Sequence, residues 1–170
     1  MKLIVAVDKN WGIGRNNDLL FSLPLDMKHF IKTTSGKVVV MGRNTLLSLP
    51  GGKPLKNRTN IVLSGTGGIG ECADGESKYL KVDSIDTLLD VIKVFPPDDV
   101  FVIGGARVYK ELLPYCCEAI VTKVDADGKA ELFFPDLDNS THWSLVNESE
   151  PVQDGEYEIK FCTYKNHGVK

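Results

Sequence analysis

The chain has 170 residues, 42% of them hydrophobic and 25% charged, with 20 basic side chains against 23 acidic ones and a net charge of −3. That length suits one domain over 1–170 with a full core, and the charge balance gives no reason to expect nucleic acid or an anionic membrane as partner. No apolar run approaches the ~18–20 residues of a spanning helix, and the N-terminus lacks a signal-peptide layout. Cys72, Cys116, Cys117 and Cys162 show no disulfide or metal-ligand spacing, and His29, His142 and His167 are scattered. A cytoplasmic location, reduced thiols and no metal are expected.

Leu3 to Val7 reads as the first strand. Asp8 to Asp18 follows without helical period, where an ordinary doubly wound nucleotide-binding unit would begin a helix, so this stretch is either a ligand-contacting lid or a surface loop. Pro24 then opens a helix, at a position where its missing N–H costs nothing. Leu23, Met27, Phe30 and Ile31 mark the apolar side, and Asp26 shares it. An acid there is either held by a hydrogen bond or ligand, or is a first-turn Asp interacting with the helix dipole.

Lys37 to Met41 is a second buried strand and ends in Gly42-Arg43-Asn44-Thr45, with Thr45 expected to begin a short helix. An Arg at a strand's C-terminal end suits a ribose 2′-phosphate, where an acid would suit the free hydroxyl; the alternative is a solvated surface Arg. Leu55 to Asn60, containing Arg58, leads into strand Ile61 to Leu63, and the glycine-rich Ser64 to Gly70 is too short for an interdomain linker. Tyr79 to Val82 reads as a strand, and Ile85, Leu88, Leu89 and Ile92 recur at helical spacing.

Val100 to Ile103 is a continuous apolar run, as in a strand buried on both faces, and from Ala106 a helix runs until Pro114. Gly104 and Gly105 between them either open a diphosphate cradle at the helix N-terminus or merely permit a tight turn. The third glycine of a full dinucleotide fingerprint is missing. Ala119 to Val124 is the next strand, and Trp143 to Val146, the Gly155 turn and Tyr157 to Thr163 read as a terminal antiparallel hairpin. The order predicts an α/β sheet, mostly parallel with an antiparallel edge.

Seven short segments carry a resemblance: Ile4-Val-Ala6 with Gly12-Ile-Gly14 and Asn17; Leu23-Pro-Leu-Asp26 with Phe30; Val40-Met-Gly-Arg-Asn-Thr45; Leu55 with Arg58 and Asn60; Ile103-Gly-Gly-Ala-Arg-Val-Tyr109; Thr122; and Phe134-Pro135. In this order and spacing they resemble bacterial dihydrofolate reductase over nearly the whole chain. The resemblance implies a mixed, mostly parallel eight-stranded sheet flanked by four helices. It also implies NADPH-dependent reduction of dihydrofolate to tetrahydrofolate, by hydride transfer to pterin C6 with protonation of N5.

The residue roles follow from the same resemblance. Asp26, as the only ionisable group of the pocket, would hold the amino-pyrimidine ring and assist protonation, with Thr122 and Phe21 beside it. Ile4, Val5, Ala6, Met27, Phe30, Ile31, Leu49, Leu55, Ile103 and Tyr109 would line the substrate site, and Arg58 would take the glutamate α-carboxylate. Ala6, Ile13, Gly14, Asn17 and Leu19 would meet the nicotinamide end of the cofactor. Gly42, Asn44, Leu63, Gly65 and Ile103 would border the rest of it. Thr45 with Gly104, Gly105, Ala106, Arg107, Val108 and Tyr109 would hold the diphosphate, and Arg43 with Ser64 the 2′-phosphate. The family's glycine pair is joined by a cis peptide.

The chain departs from the family pattern at Leu20-Phe21, where Pro-Trp is usual and Phe21 cannot donate a hydrogen bond, and at Ala106, which replaces a third glycine. The stretch from Gly65 to Ser77 is longer than usual, and its adenine contacts are unassigned. A monomer is expected, binding dihydrofolate and antifolate inhibitors as small molecules. A reductase of the same fold acting on a riboflavin-pathway pyrimidine is the nearer alternative and a silent NADPH-binding protein the farther one. Asp26, Phe30 and Arg58 favour folate.

Overall fold

Strand β1 (Lys2–Val7) sets the two faces of the structure, a computed structural model that describes residues 1–65, 70–74 and 77–170. Its Leu3, Val5 and Val7 enter the larger core, so the pleat turns Ile4 and Ala6 to the opposite face. There follow β2 (Gly12–Gly14), α1 (Pro24–Thr34), β3 (Val38–Gly42), α2 (Arg43–Ser48), β4 (Thr59–Leu63), β5 (Gly70–Asp74), β6 (Ser77–Val82) and α3 (Ile85–Ile92). The second half comprises β7 (Val100–Gly104), α4 (Ala106–Leu112), β8 (Glu118–Val124), β9 (Leu132–Phe133), β10 (Trp143–Glu148), β11 (Val152–Asp154) and β12 (Tyr157–Asn166).

The main sheet runs β10-β12-β8-β1-β7-β3-β4-β6-β5, with β11 paired to β12. It is parallel from β8 through β1, β7, β3 and β4 to β6, and antiparallel at both margins. The expected eight-stranded mixed sheet is present, extended by the short strands β5 and β11 to ten strands. Three local expectations are corrected. The stretch after β1 is not loop throughout, because Gly12 and Gly14 pair with Phe133 and Leu132 in a separate ribbon. The helix after β3 begins at Arg43 rather than Thr45, with Gly42 as its extended N-cap. The turn at Gly155 joins β11, not β10, to β12: Asp154 pairs with Tyr157, while Trp143 to Glu148 pairs farther along β12. Cys116, Cys117 and Cys162 are free thiols, whereas the side chain of Cys72 lies outside the described residues.

The larger core gathers Leu3, Val40, Val102, Leu88 and Leu112 under α3 and α4. The opposite face carries two smaller clusters. One joins Val39, Met41, Leu46 and Val62, with Leu49, Leu55 and Ile103 packed against it. The other joins Leu23, Val124 and Ile159, with Phe21, Tyr157 and Phe161. Between them in the sheet order lie Ile4, Ala6 and Thr122, which belong to neither cluster.

The connection from β1 to β2 is held by the buried Asp8. Its carboxylate accepts N–H bonds from Asn10 at 2.8 Å, Gly12 at 2.7 Å and Gly128 at 3.0 Å. A Cβ on Gly12 would stand 2.4 Å from Ala130 Cβ and 2.9 Å from Asp8 Cγ, so only glycine fits there. Asp8→Ala leaves three donors without this acceptor and is expected to lower stability by about 2–3 kcal/mol, read as a shift of the denaturation midpoint. A midpoint equal to wild type would show that water replaces the carboxylate without loss.

Candidate active site

Helix α1 begins without a side-chain cap of its own: Leu23 is the N-cap residue and Pro24 follows. The N–H groups of Leu25 and Asp26 are instead taken by the two carboxylate oxygens of Asp154, at 3.0 and 2.9 Å. So anchored, α1 turns Asp26 onto the face between the two small clusters. There Thr122 Oγ1–H donates to Asp26 Oδ1 at 2.6 Å, and Ala6 is the register partner of Thr122.

Burial is the main cause that lifts the Asp26 carboxyl above its ordinary pKa, and the charge of Asp154 adds to the rise. The Thr122 hydrogen bond and His29 act in the opposite direction. Asp26 is therefore not the only ionisable group here. His29, one turn along α1, lies against Phe161 with ring centroids 4.5 Å apart and has its Nε2 buried without a partner. Burial lowers the His29 pKa, Asp26 raises it and Lys32 lowers it.

Under the acid, the Tyr109 hydroxyl donates to the Ile4 carbonyl at 2.7 Å, tying α4 to β1. Burial raises the phenol's pKa well above its usual value. One turn along α1 from Asp26, the Arg58 guanidinium stands 5.8 Å from the centre of the Phe30 ring, with its Nε buried and without a partner. Burial lowers the Arg58 pKa. Asn60 fixes this loop: its Nδ2 donates to the carbonyls of Leu55 at 2.9 Å and Arg58 at 3.2 Å, and its Oδ1 accepts from Leu55 N–H at 2.9 Å. Leu49, Leu55 and Ile103 form one apolar wall, while Met27 and Ile31 remain 45% exposed.

The ends of β3 and β7 meet beside this cleft, where Met41 pairs with Gly104. The Gly104–Gly105 peptide is cis. A Cβ on Gly105 would come within 3.2 Å of Thr45 Oγ1, and one on Gly42 within 3.1 Å of Val108 Cγ2. The bare backbone thus forms a cradle that side chains would fill. Arg43, Ser64 and Lys81 line one hollow beyond α2 with Gly52, Pro54 and Tyr79. This meets the chemical needs of a phosphorylated dinucleotide: an apolar strand end, a glycine cradle and a cationic pocket.

Among the remaining expected residues, one side chain is turned away from the cleft. Val5 points into the larger core, so its side chain cannot line the cleft. Phe21 packs on Tyr157 at 4.7 Å, in an apolar cluster. Arg107 is exposed and pairs with Glu111 at 2.6 Å, one turn along α4. Ile13 and Gly14 belong to the ribbon segment, Asn17 has φ +58°, and Leu19 is 69% exposed. Asn44 and Gly65 are exposed, and Leu63 ends β4. Beyond Gly65, residues 66–69 and 75–76, in the stretch with unassigned adenine contacts, lie outside the described residues.

Asp154, His29 and Lys81 are additions that the sequence reading lacked. Helical spacing from Asp26 could have suggested His29; nothing in the Asp-Gly pair at 154 distinguishes it from an ordinary turn. A wider hollow across the sheet, lined by Met1, Leu89, Ile92, Phe95 and Tyr115, has Asp86, Asp90, Lys93 and Lys170 as its charged groups. It offers no buried acid comparable with Asp26. Among the described residues no group of three or more His, Cys, Asp or Glu could hold a metal, and no helix is long and apolar enough to cross a membrane.

The family model described as Dihydrofolate reductase matches residues 1–166. The chain belongs to the dihydrofolate reductase family. It is 34% identical over 168 residues to the dihydrofolate reductase of Bacillus subtilis, covering 97% of this chain and 94% of that one. It is 35% identical over 143 residues to the dihydrofolate reductase of Haemophilus influenzae, covering 84% and 82%. A solved dihydrofolate reductase from Enterococcus faecalis, complexed with NADP(H) and RAB-propyl, superposes with a TM-score of 0.83 at 31% identity, covering 97% and 95%. The mixed sheet, its helices and the C-terminal hairpin are thus those of a dihydrofolate reductase fold.

Proposed function

We infer that this chain is an NADPH-dependent dihydrofolate reductase in which Asp26 handles the proton and Thr122 orients it. The observation that carries the reading is the Asp26–Thr122 pair, a half-buried acid on the floor between two apolar clusters. Bound NADPH supplies the hydride that reduces pterin C6. The ionised Asp26 accepts paired N–H bonds from the amino-pyrimidine ring and stabilises the positive charge at protonated N5. Thr122 fixes the rotamer of that carboxylate by its 2.6 Å bond. Ile4, Ala6, Phe30, Leu49, Leu55 and Ile103 exclude water and hold the flat ring. Arg58 takes the glutamate carboxylate through its free guanidinium edge. Thr45 and the Gly104–Gly105 cradle hold the diphosphate, and Arg43, Ser64 and Lys81 the 2′-phosphate.

The reading extends to one domain over 1–170, acting as a cytoplasmic monomer that binds diaminopyrimidine antifolates in place of substrate. The riboflavin-pathway alternative is not favoured, because the matching family is dihydrofolate reductase. The direct test is loss of NADPH absorbance when dihydrofolate is added to the protein, with inhibition by a diaminopyrimidine. No loss of absorbance would overturn the reading.

The cationic hollow gives a separable expectation. Arg43→Ala should weaken NADPH by about 1.5–3 kcal/mol, the scale of a charge-assisted hydrogen bond, and leave NADH nearly unchanged. The comparison is of Michaelis constants for the two cofactors. Equal losses would remove Arg43 from 2′-phosphate recognition.

A further inference from the structure

We propose that Asp154 is a positioning residue for this reaction: from the tip of the C-terminal hairpin it holds the first turn of α1 so that Asp26 meets Thr122. The inference rests on the assignment of Asp26 as the proton-handling group. The first N–H groups of a helix have no partner within it, and here the preceding Leu23 supplies no side-chain acceptor. One buried carboxylate, 3% exposed, takes both the Leu25 and the Asp26 N–H. Asp154 and Asp26 are 128 residues apart in the chain, so this cap exists only when the hairpin is docked. The docking has a second attachment, because Tyr157, register partner of Asp154, packs on Phe21 in the segment entering α1.

The same carboxylate is one of the groups that act on Asp26. Asp154 faces it from β11, Thr122 from β8, His29 from its own helix and Tyr109 from α4, while Lys32 acts on His29. Asp154 favours the protonated form of Asp26, and Thr122 and His29 favour the ionised form. Removing the charge at Asp154 therefore lowers the pH at which Asp26 titrates.

Asp154→Asn is isosteric and uncharged and presents only one acceptor oxygen to two donors. The Leu25 and Asp26 amide hydrogens are expected to exchange about tenfold faster than in wild type, relative to the middle of α1. The Asp26 titration midpoint, followed by carboxyl-carbon NMR, should shift, downward where the Thr122 bond survives, and the acid limb of kcat should move with it. Asp154→Ser, which keeps a short acceptor without charge, gives the same midpoint reading if the Asn variant does not fold. A wild-type midpoint together with a wild-type kcat in a folded variant overturns the proposal, even when the melting temperature falls, since Asp154 is then only a structural cap. The failure of the underlying assignment looks different: Asp26→Asn would leave turnover intact, while amide exchange still reports the hold of Asp154 on α1.

Discussion

Asp26→Asn is expected to cut dihydrofolate turnover at neutral pH by roughly 10²–10⁴-fold while leaving NADPH affinity unchanged. The substituted amide can still accept the Thr122 hydrogen bond, so the local geometry survives. What it loses is the charge that stabilises cationic N5 and one of the two acceptors facing the amino-pyrimidine ring. In acid, solvent protonates free dihydrofolate and partly replaces the missing carboxylate, so the deficit shrinks as pH falls. Wild type loses its own advantage there as Asp26 protonates.

The same substitution has a signature in stability. Burial raises the Asp26 pKa above its unfolded value, so the proton is bound more tightly in the folded state. The stability this gives is complete below the unfolded pKa and is lost as pH rises through the folded one. At neutral pH the ionised, partly desolvated carboxylate thus works against folding, and Asp26→Asn should melt higher than wild type. The difference should disappear in acid. Melting curves and steady-state kinetics across pH check both halves. Neutral turnover equal to wild type would end the proton assignment; a pH-independent deficit would reduce Asp26 to a binding residue.

Arg58→Leu is expected to weaken dihydrofolate by about 1.5–3 kcal/mol or more, the scale of a charge-assisted pair, and to leave a pterin without the glutamate tail nearly unaffected. Among the described residues Arg58 makes no ion pair, and its buried Nε has no partner. The loop around it is held by Asn60 without help from the guanidinium. Leu keeps an apolar side chain against Phe30 and removes a buried donor that is unsatisfied in the free protein, so the melting temperature should hold or rise. Dissociation constants for the two ligands decide the matter. Equal losses for both would make Arg58 a support of the cleft wall instead.

Much of the fold was legible in the sequence because its causes are local. Val38 to Met41 and Val100 to Ile103 are apolar and rich in β-branched residues, a pattern that suits strands buried on both faces. Pro24 can begin a helix and cannot continue one, and the apolar spacing after it fixed which side Asp26 shares. The seven family segments singled out Asp26, Thr122, Arg58 and the glycine pair as candidates from the sequence alone. Local pattern was less informative where pairing is short or distant. The ribbon between β2 and β9 involves only a few residues and has too little periodicity to be read.

Tertiary structure alone decided who meets whom. Thr122 reaches Asp26 across 96 residues and Asp154 reaches it across 128, through sheet order and register that no local pattern encodes. Lys81 joins Arg43 and Ser64 because β6 lies beside β4 in the sheet. Val5, expected to line the substrate site, enters the larger core, and Phe21, expected beside Asp26, packs against a smaller apolar cluster. Sequence determines the chemistry available along each element, since side-chain type and spacing are properties of the chain itself. The direction and company of each side chain, and hence the raised pKa of Asp26, arise only when strands from distant parts of the chain are paired.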